Sequence, residues 1–304
     1  MNKFIQEFLG SADSSILGKQ TETKLALCCF LSHGHLLIED VPGMGKTTFA
    51  KTLAKLLDLT FARIQFTNDL MPSDLIGIQI FDAKEGKFNL VHGPIFHQFI
   101  LADELNRGTP KTQSALLEAM EEKQVTLDGN TIELPHPFFV VATQNPRSQI
   151  GTHHLPESQL DRFMMKIKIG YPDSQHEKQI ISSDAHQDNY HNLKPAITAN
   201  VLADLYQSVK QVKVSDALLN YVISLLEQSR INNSFQGLSP RAGKDIIKAA
   251  KAWAFIEGRD YVLPDDVQMI LPSVVSHRLS PFQNQSFDLD KELTLKLIQA
   301  TKVD

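Results

Sequence analysis

A short apolar run, Leu36-Leu37-Ile38, leads through Glu39, Asp40 and Val41 into Pro42-Gly43-Met44-Gly45-Lys46-Thr47-Thr48. An apolar stripe at Phe49, Ala50, Leu53, Ala54, Leu56 and Leu57 follows at helical spacing. Strand, glycine-rich turn and helix in that order impose an α/β corner. Such a corner points several backbone N–H groups into one concavity suited to phosphate oxygens. Lys46 adds a point charge for β and γ phosphates, and Thr47 a hydroxyl for Mg²⁺. The strict spacing G-x-x-x-x-G-K-[ST] asks for glycine at position 40, where this chain carries Asp40. Aspartate can still open the turn, because its short side chain bonds nearby N–H groups and tolerates unusual backbone angles.

A second apolar run, Phe99-Ile100-Leu101-Ala102, closes on Asp103-Glu104. A carboxylate at the tip of a buried strand, Asp103, suits the same ion held through water, and Glu104 is placed to polarise an attacking water. The two segments read as halves of an ATP-hydrolysing site, with ATP, ADP and Mg²⁺ as the expected ligands. A third run, Phe138 to Ala142, ends in Thr143-Gln144-Asn145. The carboxyl ends of strands line the ligand crevice of an α/β sheet, which puts Asn145 beside the γ phosphate with Glu104. Asn145 ahead of Pro146 is equally a turn signal.

The first half of the chain alternates strand-like and helix-like segments, the pattern of a largely parallel sheet. Phe61 to Phe66 adds a strand, and Met164 to Ile169 alternates as an edge strand would. Two β-hairpins interrupt the rhythm as insertions. One spans Ile78 to Val91 around Lys84-Glu85-Gly86-Lys87, and the other spans Val125 to Leu134 around Asp128-Gly129-Asn130. After Gly170-Tyr171-Pro172-Asp173 the pattern becomes helical: Val201 to Val209, Asp216 to Ser229, Pro240 to Glu257, and Val267 to Leu271 after a short extended piece. The expected organisation is an α/β core over 1–172 and an all-α unit over 173–304.

Of 304 residues, 42% are hydrophobic and 21% charged, and the net charge of −5 provides no bulk basic surface for nucleic acid or an anionic membrane. Cys28 and Cys29 are adjacent, point different ways, and read as buried small hydrophobes in a reducing compartment. Met1 to Gly10 lacks the apolar core of a signal peptide, and no stretch reaches the roughly 18 to 20 apolar residues of a spanning helix. The cytoplasm is the expected location. His92, His97, His136, His153 and His154 show no metal-ligand spacing, so zinc is not expected. Phe235 and Trp253 are expected to pack the helical unit.

The order of Gly43 to Thr48, Asp103-Glu104-Leu105-Asn106-Arg107, Thr143-Gln144-Asn145-Pro146, Leu155 to Phe163 and Ser239-Pro240-Arg241 resembles the MoxR family of AAA+ ATPases. The resemblance runs from about Leu17-Gly18 to Asp266. It implies an α/β P-loop core with a five-stranded parallel sheet, a C-terminal helical lid, nucleotide at subunit interfaces, and a homo-oligomer, usually a hexameric ring. By the same resemblance, Lys46, Thr47 and Asp103 contact phosphate and Mg²⁺, Glu104 is the base and Asn145 is sensor 1. Arg162 is the finger reaching a neighbour's nucleotide, and Arg241 is sensor 2 in the same subunit. Ile16, Leu17 and Gly18 line the adenine. Arg162 has bland partners in Asp161 or Glu157, and Arg241 is an unusual cation at a helix N-terminus, which an anionic ligand would relieve. Arg107 is a second candidate for an interface arginine.

The two hairpins match the inserts of the AAA+ branch that also holds magnesium-chelatase subunits and ring helicases. DNA-gripping relatives carry basic residues there, whereas Val125 to Leu134 has Asp128 and Glu133 and no Lys or Arg, so no nucleic-acid partner is expected. The resemblance points to chaperone-like assembly or activation of partner proteins, with von Willebrand A domains or metal-cofactor maturation as its usual associations. A slow-hydrolysing nucleotide-gated interaction protein and a DNA helicase or remodeller are the competing readings.

Overall fold

The computed structural model describes residues 2–84, 86–127, 129–145, 153, 155–182, 192–231, 237–279 and 287–301, with the side chains of 180 and 287–291 excepted. Glu85, Asp128, Pro146, His154 and Phe235, named above, lie outside the described residues. In chain order the first elements are α1 (Lys3–Asp13), α2 (Gln20–Leu31), β1 (Leu36–Glu39), α3 (Lys46–Leu56), β2 (Phe61–Gln65), α4 (Pro72–Ile76), β3 (Gly77–Asp82) and β4 (Lys87–His92). Next come β5 (Phe99–Asp103), α5 (Pro110–Glu122), β6 (Gln124–Leu127), β7 (Asn130–Glu133), β8 (Phe139–Gln144), α6 (Glu157–Leu160), β9 (Met165–Ile167) and α7 (Ser174–Ser182). Helices follow: α8 (Ala199–Gln211), α9 (Asp216–Ile231), α10 (Pro240–Ile256), α11 (Pro264–Leu279) and α12 (Phe287–Ala300).

Five strands pair in parallel in the order β2-β5-β8-β1-β9. Side chains alternate faces along a strand, and here both faces are covered. Leu36 and Ile38 enter one apolar cluster with Phe99, Leu101, Phe139 and Val141, packed against α2, α3 and the later helices. Leu37, Ile100, Ala102, Val140 and Ala142 point the other way, into a cluster that includes Leu116, Leu117 and Met120 of α5. That double coverage explains why these strands read as unbroken apolar runs. The hairpins β3–β4 and β6–β7 form separate two-stranded antiparallel sheets, as the insertion reading expects.

Two elements differ from their sequence patterns. β9 lies at the sheet edge, yet Met165, Lys166 and Ile167 are all buried, because α2 and α11 pack over it. The helix expected over Val267 to Leu271 runs from Pro264 to Leu279 through Pro272. A proline inside a helix removes one hydrogen bond. Burial of Val274, Val275 and Leu279 on the far side offsets that loss. Cys28 and Cys29 are free and buried in α2, with Cys28 Sγ on the Ala249 carbonyl of α10 at 3.2 Å. Trp253 is buried in α10. Among the described residues, no helix is long and apolar enough to cross a membrane.

Candidate functional site

The turn between β1 and α3 has its glycines where the backbone demands them: Gly43 and Gly45 have φ of 88° and 75°, and nothing would obstruct a Cβ at either. Conformation, not crowding, therefore selects glycine there. Gly45 is the N-cap of α3 and supplies no side-chain cap, so the first-turn N–H groups have no capping side chain and suit an anion. Lys46, the first residue of α3, is 8% exposed and donates to the carbonyls of Asp40 at 2.6 Å and Val41 at 2.9 Å. Burial pushes its pKa below the usual lysine value, while Asp40, Asp103 and Glu104 act in the opposite sense. The charges of three carboxylates thus favour the ammonium.

Asp40 itself is buried. Its Oδ1 accepts the Val41 N–H at 2.8 Å and its Oδ2 the Gly170 N–H at 2.6 Å. The residue that departs from the glycine spacing therefore has a specific structural use.

Asp103 ends β5. Its Oδ1 accepts from the Thr143 hydroxyl at 2.6 Å, and its Oδ2 from Arg63 Nε and NH2 at 3.0 and 2.6 Å. Strand geometry would turn Glu104 to the opposite face from Asp103. Instead Glu104 adopts the left-handed conformation (φ 54°, ψ 47°), uncommon for a residue with a Cβ, and its N–H donates to Thr143 Oγ1 at 2.9 Å. Its carboxylate accepts from three side chains: Gln65 at 3.1 Å, Arg107 at 2.8 Å and Asn145 at 3.3 Å. Asn145 is buried just past β8, and Asn106 Nδ2 lies 3.4 Å from its carbonyl. Lys46, Asp103, Glu104 and Asn145 thus meet at the carboxyl end of the sheet. An uncapped helix start, a buried lysine followed by the Thr47 hydroxyl, and the Asp103 carboxylate at the strand end form a set of groups that fits a nucleoside triphosphate with Mg²⁺.

Beside the Gly43–Gly45 turn opens a cavity of about 420 Å³. Ile16 and Leu17 form one wall and Ile169, Gly170 and Tyr171 another. Gly18 closes the preceding turn with φ of 67°, where a Cβ would lie 2.7 Å from His176 Nδ1. Glu177 of α7 also lines this cavity with Tyr171, as does Lys19, whose Nζ donates to the Tyr171 carbonyl at 2.8 Å. Sequence reading missed these three, having taken Gly170 to Asp173 only as a boundary.

Arg162 and Arg241 lie elsewhere. Arg162 precedes β9, and Met164 N–H donates to the carbonyl of His35, the residue before β1. Arg162 Nε meets Glu121 Oε2 at 3.0 Å, and Arg241 NH1 meets Glu121 Oε1 at 3.1 Å. Glu121 follows Met120, whose carbonyl accepts from His35 Nε2 at 3.2 Å. Both arginines therefore sit where β1 begins, whereas the Lys46 turn starts where β1 ends, roughly 15 Å away at strand rise. The resemblance assigns Arg241 to the same chain's phosphates and Arg162 to a neighbour's, but the structure brings the two together on one carboxylate. Arg107 is paired with Glu104 within the chain. Arg63, Gln65 and Glu121 carry no local motif, and Thr143 entered the sequence reading only as part of the run that ends in Asn145.

The ATPase family associated with various cellular activities (AAA) matches residues 35–165, and the AAA lid domain matches residues 232–294. The chain is 44% identical over 274 residues to the uncharacterized protein YeaC of Bacillus subtilis (strain 168), covering 90% of this chain and 86% of that one. It is 40% identical over 274 residues to Chaperone MoxR1 of Mycobacterium tuberculosis, covering 87% and 72%. Protein MoxR of Paracoccus denitrificans is 28% identical over 297 residues, covering 87% and 85%. The crystal structure of a candidate ATPase from Cytophaga hutchinsonii superposes with a TM-score of 0.88 at 36% identity, covering 99% of this chain and 95% of that chain. With the sheet order, the Lys46 turn and the Asp103-Glu104 strand end in agreement, the chain belongs to the MoxR family of AAA+ ATPases.

Proposed function

We propose that this protein hydrolyses ATP at interfaces between its own copies and uses the conformational change to assemble, mature or activate a partner protein. The observation that carries this reading is the separation of parts: Lys46, Asp103, Glu104 and Asn145 at one end of the sheet, Arg162 and Arg241 at the other. An arginine side chain cannot span roughly 15 Å, so on this reading both arginines serve the nucleotide of an adjacent copy. A closed homo-oligomer, a hexamer by family likeness, gives every copy both roles.

In this proposal the first turn of α3 and Lys46 bind the phosphates, and the cavity by Leu17 and Tyr171 takes the base. Thr47 and Asp103 would hold Mg²⁺, which when bound neutralises phosphate charge. Glu104 takes a proton from the attacking water, Asn145 orients Glu104, and Arg162 and Arg241 stabilise the charge of the transition state. Turnover then requires assembly. The test is ATP turnover against protein concentration for wild type and Glu104→Gln: the proposal expects activity that rises with assembly and disappears in the variant. Unchanged turnover in Glu104→Gln removes Glu104 as the base.

A slow nucleotide gate is the second reading, and one observation favours it. Glu104 is bound by three donors, including the Arg107 guanidinium, so both its carboxylate oxygens are already engaged within the chain and not turned to a water. Tight ATP binding without turnover in assembled wild type would select it. Clients with von Willebrand A domains or metal cofactors belong to this proposal by family likeness, and a pull-down with Glu104→Gln, which should retain ATP and client together, tests them.

A further inference from the structure

Glu121 divides its two carboxylate oxygens between two arginines, Oε2 to Arg162 and Oε1 to Arg241. Three elements converge there: the last turn of α5, the turn after α6, and the first turn of α10. Two guanidinium groups side by side repel, and a cation in a helix's first turn opposes the dipole. Glu121 between them, with Asp161 Oδ2 farther off at 3.8 Å from Arg241 Nε, offsets both effects. Its backbone is well anchored: the Met120 carbonyl accepts from His35, Lys123 N–H caps α5 on Ala119 O at 3.0 Å, and Leu134 N–H joins the β6–β7 hairpin to Lys123 O at 2.9 Å. Arg162, Arg241 and Glu121 are 27%, 43% and 38% exposed at their side chains, and ion pairs that wet contribute little to stability. What the triple supplies is geometry.

We infer that Glu121 is a positioning residue that yokes Arg162 and Arg241 into one unit directed at the terminal phosphate of an adjacent copy's nucleotide. The inference rests on the interface reading above. A guanidinium carries five N–H donors; with one from each arginine on Glu121 and Arg241 Nε facing Asp161 Oδ2 at 3.8 Å, each guanidinium still has donors to offer a second oxyanion. A terminal phosphate offers several acceptor oxygens, enough for both forks at once.

Mixed oligomers test it. Arg162→Ala/Arg241→Ala subunits keep an intact Lys46–Glu104 site but donate no arginine, while Glu104→Gln subunits have a dead site but donate both. Mixing them is expected to restore turnover at junctions where the second kind faces the first. Adding Glu121→Ala to the Glu104→Gln partner is expected to cut that restored turnover about tenfold or more, with nucleotide affinity and assembly unchanged. The same change in the arginine-less partner has nothing to position and leaves turnover as it was. Glu121→Gln, which keeps the shape and one acceptor oxygen, gives the same asymmetry in smaller measure and serves if the alanine variant fails to fold. Equal loss in both placements, or loss in neither, overturns the role of Glu121 while leaving the interface reading intact. No restoration by the parent pair, in oligomers shown to be mixed, overturns both.

Discussion

The carboxylate of Asp40 accepts the backbone N–H of Gly170 at 2.6 Å, tying the start of the phosphate-binding turn to the segment that leaves β9. Gly170 also lines the cavity beside that turn, so one bond registers the phosphate end of the site against the base end. Asp40→Gly matches the strict motif but removes the acceptor of two part-buried N–H groups, those of Val41 and Gly170. A fully buried donor left without a partner costs about 1–3 kcal/mol, and partial exposure puts each of these near the lower end. The expected outcome is a glycine variant that is less stable and binds a fluorescent ATP analogue about tenfold more weakly, measured by denaturation and titration. Asp40→Asn, with one acceptor oxygen, falls between. Wild-type affinity in the glycine variant would mean that the Gly170 bond is incidental.

Arg63 places two N–H donors on the same oxygen of Asp103. A cation there competes with any second cation for the carboxylate. Arg63→Ala is therefore expected to lower the Mg²⁺ concentration needed for half-maximal retention of labelled ATP, by a few-fold because Arg63 is half exposed and screened. An unchanged or raised midpoint would show instead that Arg63 orients Asp103 for the ion.

How legible each part was depended on whether its partners were local. Asp103, Glu104 and Asn145 end or closely follow strands, so apolar run plus polar end located them, while the glycine-rich turn located Lys46. Arg63 and Gln65 sit on β2, and only the register pairing Gln65 with Asp103 brings them to the site. Glu121 lies on a helix whose pattern is satisfied by its apolar face, and nothing in the local sequence announces the arginines it meets. Helix α2 was hidden for the opposite reason. Every residue from Leu25 to Leu31 is buried, so no amphipathic period survives to distinguish helix from strand. Proline at 272 likewise signalled a stop that tertiary packing overrides.

Arg278 of α11 is buried and reaches Asp245 of α10 at 2.7 Å and Asp161 at 2.9 Å, joining the helical region to the segment that carries Arg162. Removing one partner of such a pair strands the other charge, at about 3–5 kcal/mol. Arg278→Leu is expected to lower the stability measured in urea by about that amount. The double variant with Asp245→Leu should recover part of the loss, since replacing both partners with apolar groups is far less costly. A double variant as unstable as the sum of the singles would mean that the two do not interact.

Acid should weaken the fold through His35 and His277. His35 Nδ1 accepts the Val140 N–H at 3.0 Å and Nε2 donates to the Met120 carbonyl, an arrangement that only the neutral ring can make. Burial lowers its pKa to about 4, with the nearby charges of Lys123 and Arg241 acting in the same sense and the Met120 bond against it. Burial, with Arg278 and Lys166, holds His277 well below the ordinary value. A histidine depressed in the folded state binds its proton first when unfolded, so its stabilising effect is complete above about pH 6.5 and is lost as pH falls toward about 4. For His35 alone the loss between pH 8 and pH 5 is about 2 kcal/mol. Chemical denaturation at those two pH values should show at least that decline in wild type. His35→Gln offers an oxygen acceptor and an N–H donor without a titrating ring, so it should lose about 2 kcal/mol less over the same range. A variant whose stability falls as steeply as wild type would place the acid sensitivity elsewhere.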